Sequence, residues 1–144
     1  MEKKPQNLKN HTKIDPAFHY FLMPLGLALL IASVYYAVRH PGKPEWTIVV
    51  AAVWAFIALF KIRLYALKVQ DRVIRLEERL RMEKILPPAL NARVYELSEQ
   101  QFIALRFASD SELPALVEKT LSAKLVPKDI KAAIQSWRPD YWRV

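Results

Sequence analysis

Between Trp46 and Leu86 the chain carries neither glycine nor proline, and its character changes halfway. Trp46–Phe60 (WTIVVAAVWAFIALF) has no formal charge. From Lys61 and Arg63 onward, charged residues are interleaved with Ile62, Ala66, Val69, Val73, Leu76 and Leu80. No helix breaker marks the change. One long helix over Glu45–Leu86 is therefore predicted, its first half in lipid and its second half in water.

The preceding segment makes the membrane reading a hairpin. Ala17–Val38 (AFHYFLMPLGLALLIASVYYAV) is uncharged and spans about 33 Å as a helix, enough to cross a bilayer core. Asp15-Pro16 supplies a cap and a first-turn proline. Phe18, His19 and Tyr20 suit one interface, Tyr35 and Tyr36 the other. Pro24 predicts a kink. The apolar run exceeds the core of a cleavable signal peptide, and no small-x-small cleavage site follows it. Arg39–Glu45 (RHPGKPE) is a turn short enough to make spans 17–38 and 46–63 antiparallel neighbours. Gly26, Ala28, Ala32 and Ser33 on one span, and Ala51, Ala55 and Ala58 on the other, offer small faces for close approach. Trp54 is expected to be a packing residue, with contact to a second copy as the alternative.

Basic residues set the orientation. Lys3, Lys4, Lys9 and Lys13 lie in the tail, and Lys61, Arg63, Lys68, Arg72, Arg75, Arg79 and Arg81 follow the second span, against only Arg39 and Lys43 in the turn. Both termini are expected in the cytoplasm. The formal net charge of +8 is then explained at the anionic inner leaflet rather than by nucleic acid, for which no reading motif is present.

The wet half of the long helix has a seam. Ile62, Ala66, Val69, Val73, Leu76 and Leu80 recur at steps of four and three, a heptad pattern. Such a seam either pairs with the same helix of another copy or packs on helices later in the chain. Ile74 and Leu67 widen the stripe, which favours packing within the chain. Asp71/Arg75 and Glu77/Arg81 are spaced as i,i+4 ion pairs. Pro87-Pro88 ends the helix, and Ala89–Leu97 reads as a connector with extended character. Ser98-x-x-Gln101 is a capping box for a helix to about Ala108. A second helix carries the stripe Leu113, Leu116, Val117, Thr120, Leu121 and Leu125. A last one from about Lys128 to Trp137 buries Ile130, Ala133, Ile134 and Trp137. Helices this short need a common surface, and the Ile62–Leu80 seam is the one expected. Tyr141 and Trp142 are expected to pack back or to touch the membrane surface.

Chemistry-bearing constellations are scarce. The chain has no cysteine, and His11, His19 and His40 lack the spacing of a metal set. His19 is expected at the interface with its ring partly buried. No charged residue lies deep in either span, which argues against a proton relay. Glycine occurs only at positions 26 and 42, so no phosphate loop is available. No catalytic residue, cofactor or metal is assigned. The one dense polar block is Gln70, Asp71, Arg72 and Arg75, with Arg106 and Asp110 on a later helix. Gln70, Asp71 and Asp110 read as a structural network bridging the long helix and the cap. The sharper reading is a pocket in which Arg72, Arg75 and Arg106 hold an anionic headgroup or a partner's carboxylate.

Gln6-Asn7…Asn10-His11…Pro16…His19, Tyr65–Arg81 (YALKVQDRVIRLEERLR), Gln101–Leu116 (QFIALRFASDSELPAL) and Ile130-Lys131…Trp137…Asp140-Tyr141…Arg143-Val144 resemble an uncharacterised family of small bacterial membrane proteins, a domain of unknown function. The resemblance covers nearly the whole chain. It implies two spans and a cytoplasmic helical tail, and no catalytic role.

The expected fold is all-α: a polar tail (1–15), a transmembrane hairpin (16–60) and a cytoplasmic helical domain (61–144). The expected function is that of a non-enzymatic inner-membrane interaction or scaffold protein. Its partners are anionic lipid headgroups together with a second copy or an unknown membrane or cytoplasmic protein. A homo-oligomeric pore or lipid-organising unit, or an enzyme acting on anionic lipid, is the alternative.

Overall fold

The structure is a computed structural model that describes residues 5–10 and 14–140. The expectations for His11, Tyr141 and Trp142 fall outside these residues. Among the described residues the chain is all-helical, apart from one isolated antiparallel bridge between Ala108 and Trp137. It forms two compact units, one of residues 14–68 and one that joins tail residues 5–10 to residues 69–140. The long helix passes from one unit to the other after Lys68. Phe60 and Arg63 belong to the first unit, where they contact Phe18 and Asp15 at the start of the first helix.

In the first unit, α1 (Ala17–Arg39) and the opening half of α2 (Lys43–Ile85) are both long and apolar enough to cross a membrane. The turn between them is shorter than expected: Lys43-Pro44-Glu45 already form the first turn of α2, because proline suits the first helical positions. Asp15 Oδ1 accepts from the Phe18 amide at 3.2 Å, and Asp15 Oδ2 pairs with Arg63 at 3.3 Å. Pro24 is accommodated by a π-helical opening over Ala17–Leu22, with the Met23 amide bonded to the Phe18 carbonyl. The wider winding leaves room where the proline ring would otherwise meet the preceding turn.

The two helices run antiparallel, and their contact is not the one expected from small residues on both sides. A Cβ built on Gly26 would lie 3.1 Å from the Phe56 ring, so a glycine on α1 receives a phenylalanine from α2. Ala51 and Ala55 are exposed. So is Trp54, at 73%, which corrects its reading as a packing residue within the chain. His19 is exposed rather than partly buried; its Nδ1 lies 2.8 Å from the Asp15 carbonyl.

In the second unit, the remainder of α2 is followed by α3 (Pro88–Asn91), a 3₁₀ turn (Val94–Glu96), α4 (Glu99–Leu105), α5 (Leu113–Ala123) and α6 (Pro127–Ala133). The stretch from Ala89 to Leu97 is thus helical turns rather than extended chain. Exposed Arg93 and Glu96 form an ion pair there at 2.8 Å, which holds the Glu96 carboxyl below its ordinary pKa. The Ser98/Gln101 capping box forms in both directions. Phe102, Leu105, Phe107, Leu113, Val117 and Ile130 are fully buried and make the core with Met82 of α2. α6 ends at Ala133, before Trp137, which lies in the extended bridge segment instead.

The cap does not use the predicted seam. Ile62, Val69, Val73, Leu76 and Leu80 are 70, 61, 47, 59 and 51% exposed. The buried residues of α2 in this unit are Ile74, Glu78 and Met82, with Arg81 and Ile85 half-buried and Leu86 buried just past its end. At 3.6 residues per turn this face lies roughly 150° round the helix from the seam. Ile74 therefore does not widen the seam; it opens a separate stripe that the polar Glu78 and Arg81 conceal in the sequence.

One backbone feature carries a prediction. Lys124 closes α5 in the left-handed conformation with φ 50°, a position at which a β-carbon is unfavourable. Lys124→Gly is expected to stabilise this unit by about 1 kcal/mol, read as a rise in the unfolding midpoint; an unchanged or lower midpoint contradicts the strain.

Candidate functional site

The polar groups of the second unit converge where its C-terminal segment crosses α2. Ser109 donates its amide to the Ser136 carbonyl at 3.0 Å, and Arg138 donates its amide to the Phe107 carbonyl at 2.7 Å. The Glu112 carboxylate accepts the amides of Gln135 and Ser136 at 2.9 and 3.0 Å, replacing partners that the end of α6 leaves open. Trp137 stacks on Phe107 with ring centroids 5.2 Å apart. The segment is thereby fixed, and Arg138 and Asp140 are delivered to the cleft beside α2.

Two ion-paired nodes result. Glu78 is only 4% exposed; its Oε2 accepts from Arg81 at 2.8 Å and its Oε1 from Arg138 at 3.0 Å. Arg81 also donates to Asp110 Oδ1 at 2.8 Å and to the Ala108 carbonyl at 2.7 Å. Arg106, likewise 4% exposed, pairs through Nε with Asp140 Oδ2 at 2.9 Å. Its Nη1 donates to the Ile103 carbonyl at 3.0 Å, and its guanidinium lies 4.2 Å from the centroid of the Phe107 ring. Gln6 closes the arrangement from the tail: its Nε2 donates to the Asp140 carbonyl at 3.0 Å, and its Oε1 accepts the Asp140 amide at 2.7 Å. Buried charges of this kind persist because each has a charged partner and further hydrogen bonds.

The cleft so framed has a volume of about 510 Å³ and is lined by Gln70, Val73, Glu77, Glu78, Arg106 and Arg138 among others. It brings together only part of the predicted block. Gln70 and Arg106 line it, and Arg72 and Arg75 do not. Arg72 is exposed and Arg75 half-buried on α2. Asp71 is half-buried, with Oδ1 lacking a hydrogen-bond partner among the described residues. Asp110 pairs with Arg81 rather than Arg106, and Arg81 takes Glu78 rather than Glu77. Ion pairs do bridge the long helix and the cap, but through Glu78 and Arg81. Sequence spacing did not single out Glu78, Arg138, Asp140 or Gln6 as partners. The one available signal for Glu78 was its position midway between Ile74 and Met82, four residues from each.

Both arginines that face the cleft are engaged by carboxylates, so the cleft has no strong excess of positive charge with which to capture an anion. The arrangement can lock the C-terminal segment and the tail onto α2. No curated protein and no solved structure matches the chain. A family model matches residues 1–144, which includes Gln6, Glu78, Arg106 and Asp140 together; the chain belongs to the family of unknown function DUF6526.

Proposed function

We propose that this protein spans the bacterial cytoplasmic membrane twice, with both termini in the cytoplasm, and serves as a non-enzymatic interaction or scaffold protein through the free face of α2. The observation that carries this reading is the exposed stripe Val69, Val73, Leu76 and Leu80, a run of apolar residues on one face of α2 that the helices of the same unit leave open. The membrane part is supported by the two long apolar helices and by the basic residues that follow the second. The reciprocal Gln6–Asp140 bonds favour termini on one side, as an even number of spans requires. Exposed Arg72 and half-buried Arg75 sit where anionic headgroups attract cations.

Two measurements test it. The chain has no cysteine, so single-cysteine variants report topology without background. In intact cells a membrane-impermeant thiol reagent is expected to label Lys43→Cys at once, and Lys119→Cys only after permeabilisation; the reverse pattern overturns the topology. A photo-crosslinker at Val73 in intact membranes is expected to yield a protein adduct that Leu76→Lys abolishes. Adducts with lipid alone overturn the interaction role.

A further inference from the structure

The face of α2 opposite the cap has a register, a chemistry and a charge pattern that together select one occupant. Val73 and Leu80 fall at the a positions of a heptad, and Val69 and Leu76 at the d positions. The central pair, Val73 at a and Leu76 at d, is the combination that favours two parallel strands, and Leu80 at a and Val69 at d carry the reverse one. All four are exposed; Val73 and Leu80 also edge clefts whose other walls include Arg138 and Asp110. The flanking positions are Gln70 and Glu77 at e, and Arg72 and Arg79 at g. In a parallel pair each g residue meets the e residue of the next heptad on the other helix, which sets Arg72 against Glu77 of the partner subunit, twice by symmetry. Arg72 and Glu77 are both exposed, and among the described residues neither forms an ion pair within its own chain. The register ends where it should. The next d position is Glu83, and Arg79, whose g–e contact would be Lys84, is drawn over the Phe102 ring of its own chain at 5.5 Å.

From these observations we infer that the occupant is α2 of a second copy, paired in parallel and in register along Val69–Leu80. The inference rests on the interaction role proposed above and names the partner. A parallel arrangement is also the one that membrane anchoring enforces, since two copies inserted with the same topology present α2 in the same direction. Val69–Leu80 is about 18 Å of helix, short for a coiled coil free in solution. Tethering in one bilayer supplies the missing association by raising the effective concentration. In the membrane unit, taken by itself, Ala51 and Ala55 are exposed four residues apart on α2, a spacing that lets helices approach closely in lipid.

The test uses the full chain in native membranes. Val73→Cys and Leu80→Cys are expected to form disulfide-linked dimers on mild oxidation, and Ser122→Cys, on an exposed site of α5, is expected to form none. In the Val73→Cys background, Arg72→Glu and Glu77→Arg are each expected to lower the dimer yield at least threefold. The double charge swap is expected to restore it. Recovery by the swap is an effect that helix stability alone would not produce. Absence of a Val73→Cys dimer, or single substitutions and a swap that all leave the yield unchanged, overturns the inference. If the Val73 photo-crosslinker captures a different protein while no disulfide dimer forms, the pairing is refuted and the interaction role stands. If neither cross-link forms, both fall.

Discussion

Glu78→Ala is expected to cost the cap-bearing unit about 4 kcal/mol of stability. The carboxylate is buried and holds Arg81 and Arg138 at 2.8 and 3.0 Å. Removing it leaves a half-buried guanidinium short of a partner and frees the C-terminal segment from α2. Breaking a buried pair from one side costs more than the pair contributes, because the remaining charge stays desolvated. Glu78→Gln keeps the shape and one acceptor oxygen, so its expected loss is smaller, about 2 kcal/mol. Amide hydrogen exchange of α4 and α5 in micelles reads both values, since the slowest amides there report opening of the whole unit. Exchange in Glu78→Ala as slow as in the wild type would refute a structural role for this node.

The second large effect separates the three arginines that the sequence grouped together. Arg106→Ala is expected to destabilise the same unit by about 3 kcal/mol. It removes a buried ion pair to Asp140, a bond to the Ile103 carbonyl and the stack on Phe107 at once. Arg106→Lys is expected to recover under half of this, because an ammonium cannot reproduce the planar stack and the forked donors. Arg72→Ala and Arg75→Ala are expected to stay within about 0.5 kcal/mol of wild type. The same exchange measurement distinguishes them. A stable Arg106→Ala protein that had lost binding to anionic-lipid vesicles would instead assign Arg106 to a headgroup site.

The capping box at Ser98, the apolar stripe from Leu113 to Leu125 and the uninterrupted α2 were all legible in the sequence. Each is written locally, in residues within one or two turns of one another. The choice of face on α2 was not. Read alone, its heptad seam and its Ile74–Glu78–Met82–Ile85 stripe compete for the cap, and apolar counting favours the seam because it contains no charge. What reverses the choice is non-local: Arg138 arrives from 60 positions away to pair with Glu78, and Asp110 and Ala108 complete Arg81. Residues that score as polar thereby become buried.

Arg106 is set apart from Arg72 and Arg75 in the structure for the same reason. Arg72 and Arg75 are neighbours on α2, whereas Arg106 lies far along the chain, and only the bridge between Phe107–Ser109 and Ser136–Arg138 decides that Arg106 turns inward to Asp140. Nothing in the sequence around Gln6 marks a role for it, and its part in holding Asp140 exists only once residues far apart in the chain meet.

The sequence by itself determined the all-helical class, the two apolar helices and the capping-box start of α4, because hydrophobic periodicity and capping act over a few residues. Only the tertiary structure decided which face of α2 is covered and which is left free. The burial of a charge depends on partners that the chain brings from far away.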